Sequence, residues 1–303
     1  MNIIVTGGCG FIGSNLVDQL VNLDHKVFVI DNLSSDAHDK FYYNKKAIYY
    51  KDDITNKHLV NGIFERHKPD YVFHLAAEAR IQNCINEPAK AFNTNTVGTL
   101  NILEASRMFG IKRIMFSSTS AIYGLTCSLP QKEISSPDCL NMYSYSKLFS
   151  ENLFILYSNM YNVDSVCFRY FNVYGPRQPI RGTYAPVIGV FSRQKKMGDP
   201  MTIVGDGLQT RDYVHVSDVV QANIAAMNCE NKLKADIINI GTGVAYSVLD
   251  LAIEMGGAYN HVAPRQGEAR HTLADISKAK KLLNWEPKKE LFDYLRNKEY
   301  EKS

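Results

Sequence analysis

Gly7-Gly8-Cys9-Gly10-Phe11-Ile12-Gly13 is the stretch whose reading decides the fold. It follows a short apolar run, Asn2 to Thr6, and leads into an amphipathic run from Phe11 to Leu23. The first run reads as a buried strand and the second as a helix. Strand, glycine turn and helix together form the setting that a dinucleotide fingerprint requires. Glycines at 7, 10 and 13 let the backbone approach a pyrophosphate, whose charge then meets the helix N-terminus at Phe11 and Ile12. The competing reading is a tight turn with close helix–strand packing; the context favours the cofactor.

Moving outward, Lys26 to Ile30 reads as a second strand ending in Asp31-Asn32, about twenty residues after the glycines, the distance at which a dinucleotide site carries its acidic residue. A carboxylate there accepts ribose hydroxyls of NAD and repels the extra phosphate of NADP; a turn cap is the alternative for Asp31. Ala47 to Tyr50 is a third strand leading to Asp52-Asp53-Ile54. Asp53 is suited to an adenine amino group and Ile54 to the ring, with helix capping as the rival role for the acid. The fourth strand, Tyr71 to Ala77, ends in Leu75-Ala76-Ala77, where small side chains let a ligand lie against backbone. His74 reads as a satisfied core histidine rather than a catalyst. Pro88 opens a helix running to about Phe109 with Gly98 inside it. A glycine there costs up to ~1 kcal/mol, so close packing or a ligand should explain it. Lys112 to Phe116 is a fifth strand that runs into Ser117-Ser118-Thr119-Ser120.

Downstream lies Tyr143-Ser144-Tyr145-Ser146-Lys147. On a helix, Tyr143 and Lys147 share one face, one turn apart. A free phenol ionises near pH ~10, and bringing it to neutrality takes roughly 3 units, or about 4 kcal/mol. An ammonium beside it supplies part of that, and a positive nicotinamide ring could supply more. On its own the pair could equally be a half-exposed Tyr and a surface Lys. With the hydroxyl cluster and the glycine turn, it makes a site for oxidising an alcohol beside a nicotinamide.

Composition sets the bounds. The chain has 303 residues, 45% apolar and 21% charged, enough for one large α/β unit or two joined domains. A formal net charge of +3 is too small to argue for nucleic acid or an anionic membrane. No stretch approaches a membrane span. The opening residues lack the pattern of a signal peptide. Six scattered cysteines, with no Cys-x-x-Cys, suit a reduced cytoplasmic chain without a structural metal.

With Thr6 to Gly13, His74-Leu75-Ala76-Ala77, Ser117 to Gly124 and Tyr143-x-x-x-Lys147 in hand, the chain resembles an extended short-chain dehydrogenase/reductase of the NAD-dependent nucleotide-sugar epimerase/dehydratase group. The resemblance covers essentially the whole chain. It implies Thr119 as the catalytic hydroxyl at the sugar O4, Tyr143 as the base, and Lys147 as the residue that binds the nicotinamide ribose and lowers the phenol's pKa. It adds Asn95, Ser117, Tyr170 and Phe171 to the cofactor's surroundings. Asn172, Arg211 and Arg265 would contact the diphosphate, Glu268 the uridine ribose, and Thr272 would stand at the position that gates the sugar pocket. By itself Arg211 would read as a surface ion-pair residue. The dehydratases of the group carry Asp-Glu after the catalytic Thr; here Ser120-Ala121 stand there, which disfavours dehydration.

The expected architecture is α/β: a Rossmann-type doubly wound parallel sheet with a smaller C-terminal substrate-binding α/β domain. Residues 1–170 would form the first, with the 213–240 region returning to it, and 171–303 mainly the second. Tyr184 to Met197 should be helical, Ser217-Asp218 should cap the next helix, and Asp275 or Ser277 the one after. Trp285 reads as a packing corner. The expected activity is NAD-dependent 4-epimerisation of a UDP-hexose by a cytoplasmic homodimer. A keto-sugar reductase of the same family, or a non-catalytic NAD-binding regulator, are the alternatives.

Overall fold

The apolar run Asn2–Thr6 forms β1, and the glycine turn after it delivers the chain into α1 (Phe11–Asn22). The computed structural model describes residues 1–35, 40–125, 128–180, 185–264 and 269–302. The first half continues with β2 (Lys26–Ile30), β3 (Ile48–Tyr50), β4 (Tyr71–His74), β5 (Arg113–Thr119) and β6 (Ser165–Tyr170). The second half holds β7 (Asn172–Tyr174), β8 (Met201–Val204), β9 (Thr210–His215), β10 (Asp236–Ile240), β11 (Ala245–Ser247) and β12 (Tyr259–Val262). Among the helices are α2 (Lys57–His67), α3 (Ile81–Asn86), α4 (Pro88–Phe92), α5 (Gly98–Phe109) and α6 (Met142–Tyr161). Later come α7 (Val187–Met197), α8 (Val216–Asn228), α9 (Val248–Met255), α10 (Ser277–Leu283) and α11 (Leu291–Arg296).

Seven strands form one parallel sheet in the order β10-β6-β5-β4-β1-β2-β3. The chain winds outward from β1 in one direction and then, from β4, in the other. The crevice at the carboxyl ends of β1 and β4 is thus the switch point where such sheets take dinucleotides. Helices cover both faces, so the central strands read as continuous apolar runs rather than alternating ones. On one face Leu16, Leu20, Val219 and Trp285 pack on Val5 and Phe168. On the other, Phe64, Ile102 and Phe154 pack on Ile4 and Phe116. A third core, with Phe191, Ile203, Leu251 and Tyr294, holds the smaller C-terminal sheets β11-β9-β7 and β12-β8.

The structure departs from the sequence reading in several places. β4 stops at His74, leaving Leu75–Ala77 as loop, while β5 extends through Ser117–Thr119. The expected helix from Pro88 to Phe109 widens into a π-helical stretch over Asn93–Val97. Close packing accounts for Gly98, because a Cβ there would lie 2.5 Å from Ile54 Cδ1. β9, inside the segment expected to return to the large sheet, pairs instead with β7 and β11; the return begins with α8. His215 caps α8, its Nδ1 accepting from Ser217 N–H at 3.1 Å, where Ser217-Asp218 was expected to do so. α10 and Trp285 return as well, and Trp285 Nε1 donates to Asp218 O at 3.0 Å. Ahead of α10, Asp275 Oδ1 accepts from Ser277 N–H at 2.9 Å. α7 starts at Val187, and Tyr184 lies outside the described residues.

His74 is fully buried. The Thr99 hydroxyl donates to Asn95 O at 2.6 Å, so it must accept from His74 Nε2–H at 2.9 Å; Nδ1 is then the acceptor for the Thr6 hydroxyl at 2.7 Å. Burial, with the Lys147 charge behind it, pushes the His74 pKa down to about 3; burial and Lys289 push His215 down to about 4. Both rings stay neutral in the folded chain, whereas the unfolded chain takes up a proton at each below pH ~6.5. Stability is therefore expected to fall as pH drops from about 6.5 toward 4, by on the order of a few kcal/mol in all. Urea midpoints across that range would show it; a flat profile would mean the folded chain carries charged rings.

Candidate active site

The turn after β1 is built for close approach. Gly7 has φ +70°, and a Cβ there would sit 2.7 Å from Ala76 N; a Cβ on Gly13 would sit 2.1 Å from Gly7 O. Gly10 is the N-cap of α1 and brings no side chain to close it, so the first-turn N–H groups of Phe11, Ile12 and Gly13 lack helical acceptors. Asp31 pins this loop: Oδ2 accepts from Cys9 N–H and Oδ1 from Leu33 N–H, both at 2.9 Å. Each oxygen keeps a second lone pair for a ribose hydroxyl. Asn32 donates to Asp53 Oδ2 at 2.7 Å, and Asp53 Oδ1 takes the N–H and hydroxyl of Thr55 at 2.8 Å each. Asn56, not Asp53, caps α2. Ile54 is 3% exposed and packs inward on Gly98, so little of it is left for an adenine ring. Across the crevice, Ala76 N–H donates to the Thr6 hydroxyl at 3.1 Å. Asn95 is 1% exposed and engaged by protein: Nδ2 donates to Glu78 O at 3.0 Å and to Ser146 Oγ at 2.9 Å, while Oδ1 accepts from Glu78 N–H at 2.8 Å. It fixes the loop after β4 to α6. A cradle too tight for side chains, ending in the first-turn N–H groups of α1 beside a carboxylate, fits a dinucleotide.

Beyond it opens a cavity of about 750 Å³ whose wall includes Thr119, Tyr143, Tyr170, Asn172, Arg211 and Thr272. Thr119 is the last residue of β5. Tyr143 stands in the first turn of α6, which a reciprocal cap sets in place: Asn141 Oδ1 accepts from Ser144 N–H at 3.0 Å and Ser144 Oγ from Asn141 N–H at 3.4 Å. Burial pushes the Tyr143 phenol up to about 12; a hydrogen bond with Thr119 pulls it back, and Cys84 adds to the rise. Lys147, 3% exposed, donates to Ser117 O at 2.7 Å and lies 4.7 Å from the centre of the Phe116 ring. Burial brings its own pKa down to about 8, against the opposing pull of Glu151. Its ammonium thus anchors β5 next to Thr119, and at neutral pH the phenol carries its proton.

Ser117 Oγ and Asn223 Nδ2 both donate to the Tyr170 hydroxyl, at 3.3 and 2.8 Å. Phe171 is nearly buried against Tyr123. Asn172 Nδ2 donates to Asp212 O at 2.9 Å and to Thr272 Oγ1 at 3.4 Å, joining β7 to the segment after residue 268. Arg211 Nη1 reaches Thr210 O at 3.0 Å and Arg270 O at 3.3 Å, with its side chain still on the cavity wall. Arg265 and Glu268 lie outside the described residues.

A model of the NAD dependent epimerase/dehydratase family matches residues 3–241. The chain belongs to that family. Its members depend on NAD, the group the cradle fits. Among solved structures, a UDP-glucose 4-epimerase with UDP-glucose from Thermotoga maritima is 38% identical, superposes with a TM-score of 0.92, and the match covers 99% of this chain and 98% of that one. A UDP-N-acetylglucosamine 4-epimerase from Methanobrevibacter ruminantium in complex with UDP-N-acetylmuramic acid is 32% identical, with a TM-score of 0.91 and coverage of 99% and 97%. The Thermus thermophilus UDP-glucose 4-epimerase complex with NAD is 32% identical, with a TM-score of 0.89 and coverage of 99% and 98%.

For this epimerase-family chain, the sequence reading missed part of the cavity wall. Thr202, Val204 and Tyr213 line it, as does Gln131. Alternation was the available signal: in β8, Met201 and Ile203 are buried while Thr202 and Val204 are partly exposed. Tyr213, two residues after Arg211, follows the same two-residue period. Gln131 had no such signal, and neither did Glu151. Glu151, fully buried one turn after Lys147, takes Ser118 Oγ at 2.6 Å and Arg169 at 3.0 and 2.7 Å.

Proposed function

We propose that this chain interconverts a UDP-sugar and its C4 epimer through a transient 4-keto sugar. The observation that carries the reading is the Thr119–Tyr143 hydroxyl pair, set between the dinucleotide cradle and the wall that carries Asn172, Arg211 and Thr272. Bound in the cradle, NAD would supply the acceptor and donor of the C4 hydride and a positive ring charge that lowers the phenol's pKa toward the neutral range. Tyr143 takes the O4 proton and later returns it, while Thr119 donates to O4 and orients it. Lys147 keeps the end of β5 in register with α6 through Ser117 O. Arg211 and Asn172 hold the diphosphate, a planar guanidinium being suited to paired phosphate contacts. That grip, remote from C4, lets the keto sugar turn over without escaping. Thr272, in place of a bulky residue, leaves room for an acetamido substituent, so both plain and N-acetylated hexoses fit the reading. NMR of UDP-glucose and UDP-N-acetylglucosamine incubated with the protein, without added reductant, is the direct test. Absence of the C4 epimer of either would overturn it.

The free cysteines Cys9, Cys84, Cys139, Cys167 and Cys229 support a reducing, cytoplasmic setting. Among the described residues, no helix is long and apolar enough to cross a membrane. A homodimer is part of the same proposal. Phe92, Val97, Tyr145, Phe149, Leu156 and Met160 are exposed on the helices around residues 88–109 and on α6, and the Phe92 and Phe149 rings lie 5.7 Å apart. An apolar face of that kind calls for a partner. Phe149→Glu is expected to halve the mass measured by light scattering while leaving the far-UV circular dichroism intact; an unchanged mass would place the contact elsewhere or deny it.

A further inference from the structure

Arg211 and Tyr213 line the cavity, and the residue between them does not. Strand alternation puts Asp212 on the opposite face of β9, where it is fully buried. Its carboxyl group is surrounded by donors. Oδ1 accepts from the N–H and the hydroxyl of Thr242, both at 2.7 Å; Oδ2 accepts from Gly243 N–H at 2.9 Å and from Ala274 N–H at 3.1 Å. Burial raises the pKa of this carboxyl, and the same hydrogen bonds work against the rise. Three backbone N–H groups divided between two oxygens suit the ionised form, which accepts at both.

These contacts gather stretches that are far apart in sequence. Residues 241–244 carry the chain from β10, in the seven-stranded sheet, to β11, beside β9. Residues 271–274 run along β9: His271 bridges Thr210, and Thr272 N–H donates to Thr210 O at 3.1 Å. The backbone of Asp212 adds two bonds, its O accepting from Asn172 Nδ2 at 2.9 Å and its N–H donating to Thr272 Oγ1 at 3.4 Å. The junction has no spare room, since a Cβ on Gly241 would stand 2.6 Å from Ala274 Cβ and 2.9 Å from Asp212 Oδ2. We infer that Asp212 is a positioning residue for substrate: its carboxylate fixes the 241–243 crossing and the 271–274 segment to β9, and so holds Arg211, Asn172 and Thr272 in the arrangement that grips the nucleotide sugar. Thr119, Tyr143 and Lys147 stand on β5 and α6, to which none of these bonds runs. Loss of the carboxylate is therefore expected to show in binding and not in turnover.

This inference rests on the UDP-sugar reading above. Asp212→Asn keeps the size of the side chain but has one accepting oxygen, so its NH2 group must face a backbone N–H whichever way the amide is turned. With NAD-loaded protein, the calorimetric Kd for UDP and the KM for the UDP-sugar are expected to rise tenfold or more, kcat at saturating sugar to stay within threefold, and NAD to stay bound through gel filtration. Gly241→Ala leaves every one of these hydrogen-bonding groups in place and only wedges the junction; the same selective weakening, threefold or more, is expected. A residue that served only the fold would lower the melting temperature of both variants and leave the Kd of the folded protein at the parent value. That result overturns the inference, as does a loss of kcat equal to the loss of affinity, or loss of NAD. If Asp212→Asn yields no folded protein, Gly241→Ala decides by the same measurements. A parent that binds UDP yet forms no C4 epimer removes the epimerase proposal, and the Kd ratio still judges Asp212; a parent that binds no UDP overturns both.

Discussion

Tyr143→Phe is expected to lower kcat by about 10²–10⁴-fold, the span usually seen when a positioned acid–base group is removed, with KM and NAD retention little changed. The ring stays, so the packing at the first turn of α6 stays. Only the hydroxyl that meets Thr119 is lost. The structure makes this expectation sharper than the sequence alone did. Burial pushes the phenol up to about 12, so before NAD binds it is a donor rather than a base. The phenol's ultraviolet titration should accordingly shift to lower pH when NAD is added to protein stripped of it, and that shift should be missing in Tyr143→Phe. A variant that keeps kcat within tenfold of the parent would remove Tyr143 from the chemistry. A parent that binds NAD and UDP-sugars yet turns over none would instead favour a non-catalytic, regulatory role.

Glu151→Gln is the most damaging single change to stability that the site offers, at about 3–5 kcal/mol. Glu151 and Arg169 are a bidentate pair, 0% and 2% exposed, with the Glu151 oxygen shared by the Ser118 hydroxyl. Burial works against the charge on Arg169, and Glu151 more than offsets it, holding the guanidinium above its usual range. Removing the carboxylate's charge leaves that guanidinium buried and uncompensated, stacked 4.8 Å from the Tyr123 ring. A loss of this size corresponds to a melting temperature lower by roughly 10 °C. Replacing both members, as Glu151→Met with Arg169→Met, should restore most of it, because what hurts is the orphaned charge and not the absence of the pair. If the double replacement is as unstable as Glu151→Gln, the pair is contributing through geometry that methionines cannot reproduce. The same variants should also lower activity, since Glu151 lies one turn from Lys147 and grips the residue before Thr119.

What the chain's own order determined was whatever short-range sterics and periodicity can decide. A five-residue apolar run, glycines at 7 and 13 where a Cβ would strike backbone, and a repeat of apolar side chains along α1 leave room for one local structure. The one-turn spacing of Tyr143 and Lys147, the register of a strand ending in hydroxyls, and an apolar strand around His74 belong to the same kind of information. The tertiary structure decided the rest, because those features depend on which distant segments meet. Lys147 could not be paired with Ser117 O until α6 was laid on β5. Ile54 turned inward because Gly98, forty-four residues on, left a gap of its size. Trp285 and α10 went back to the first core because Asp218 O and the face of α8 were there to receive them. Gln131 joined Thr272 only through a bridge to Ala274. Local propensity carries no record of such pairings; they are set when the sheet closes and long loops are drawn across its carboxyl edge.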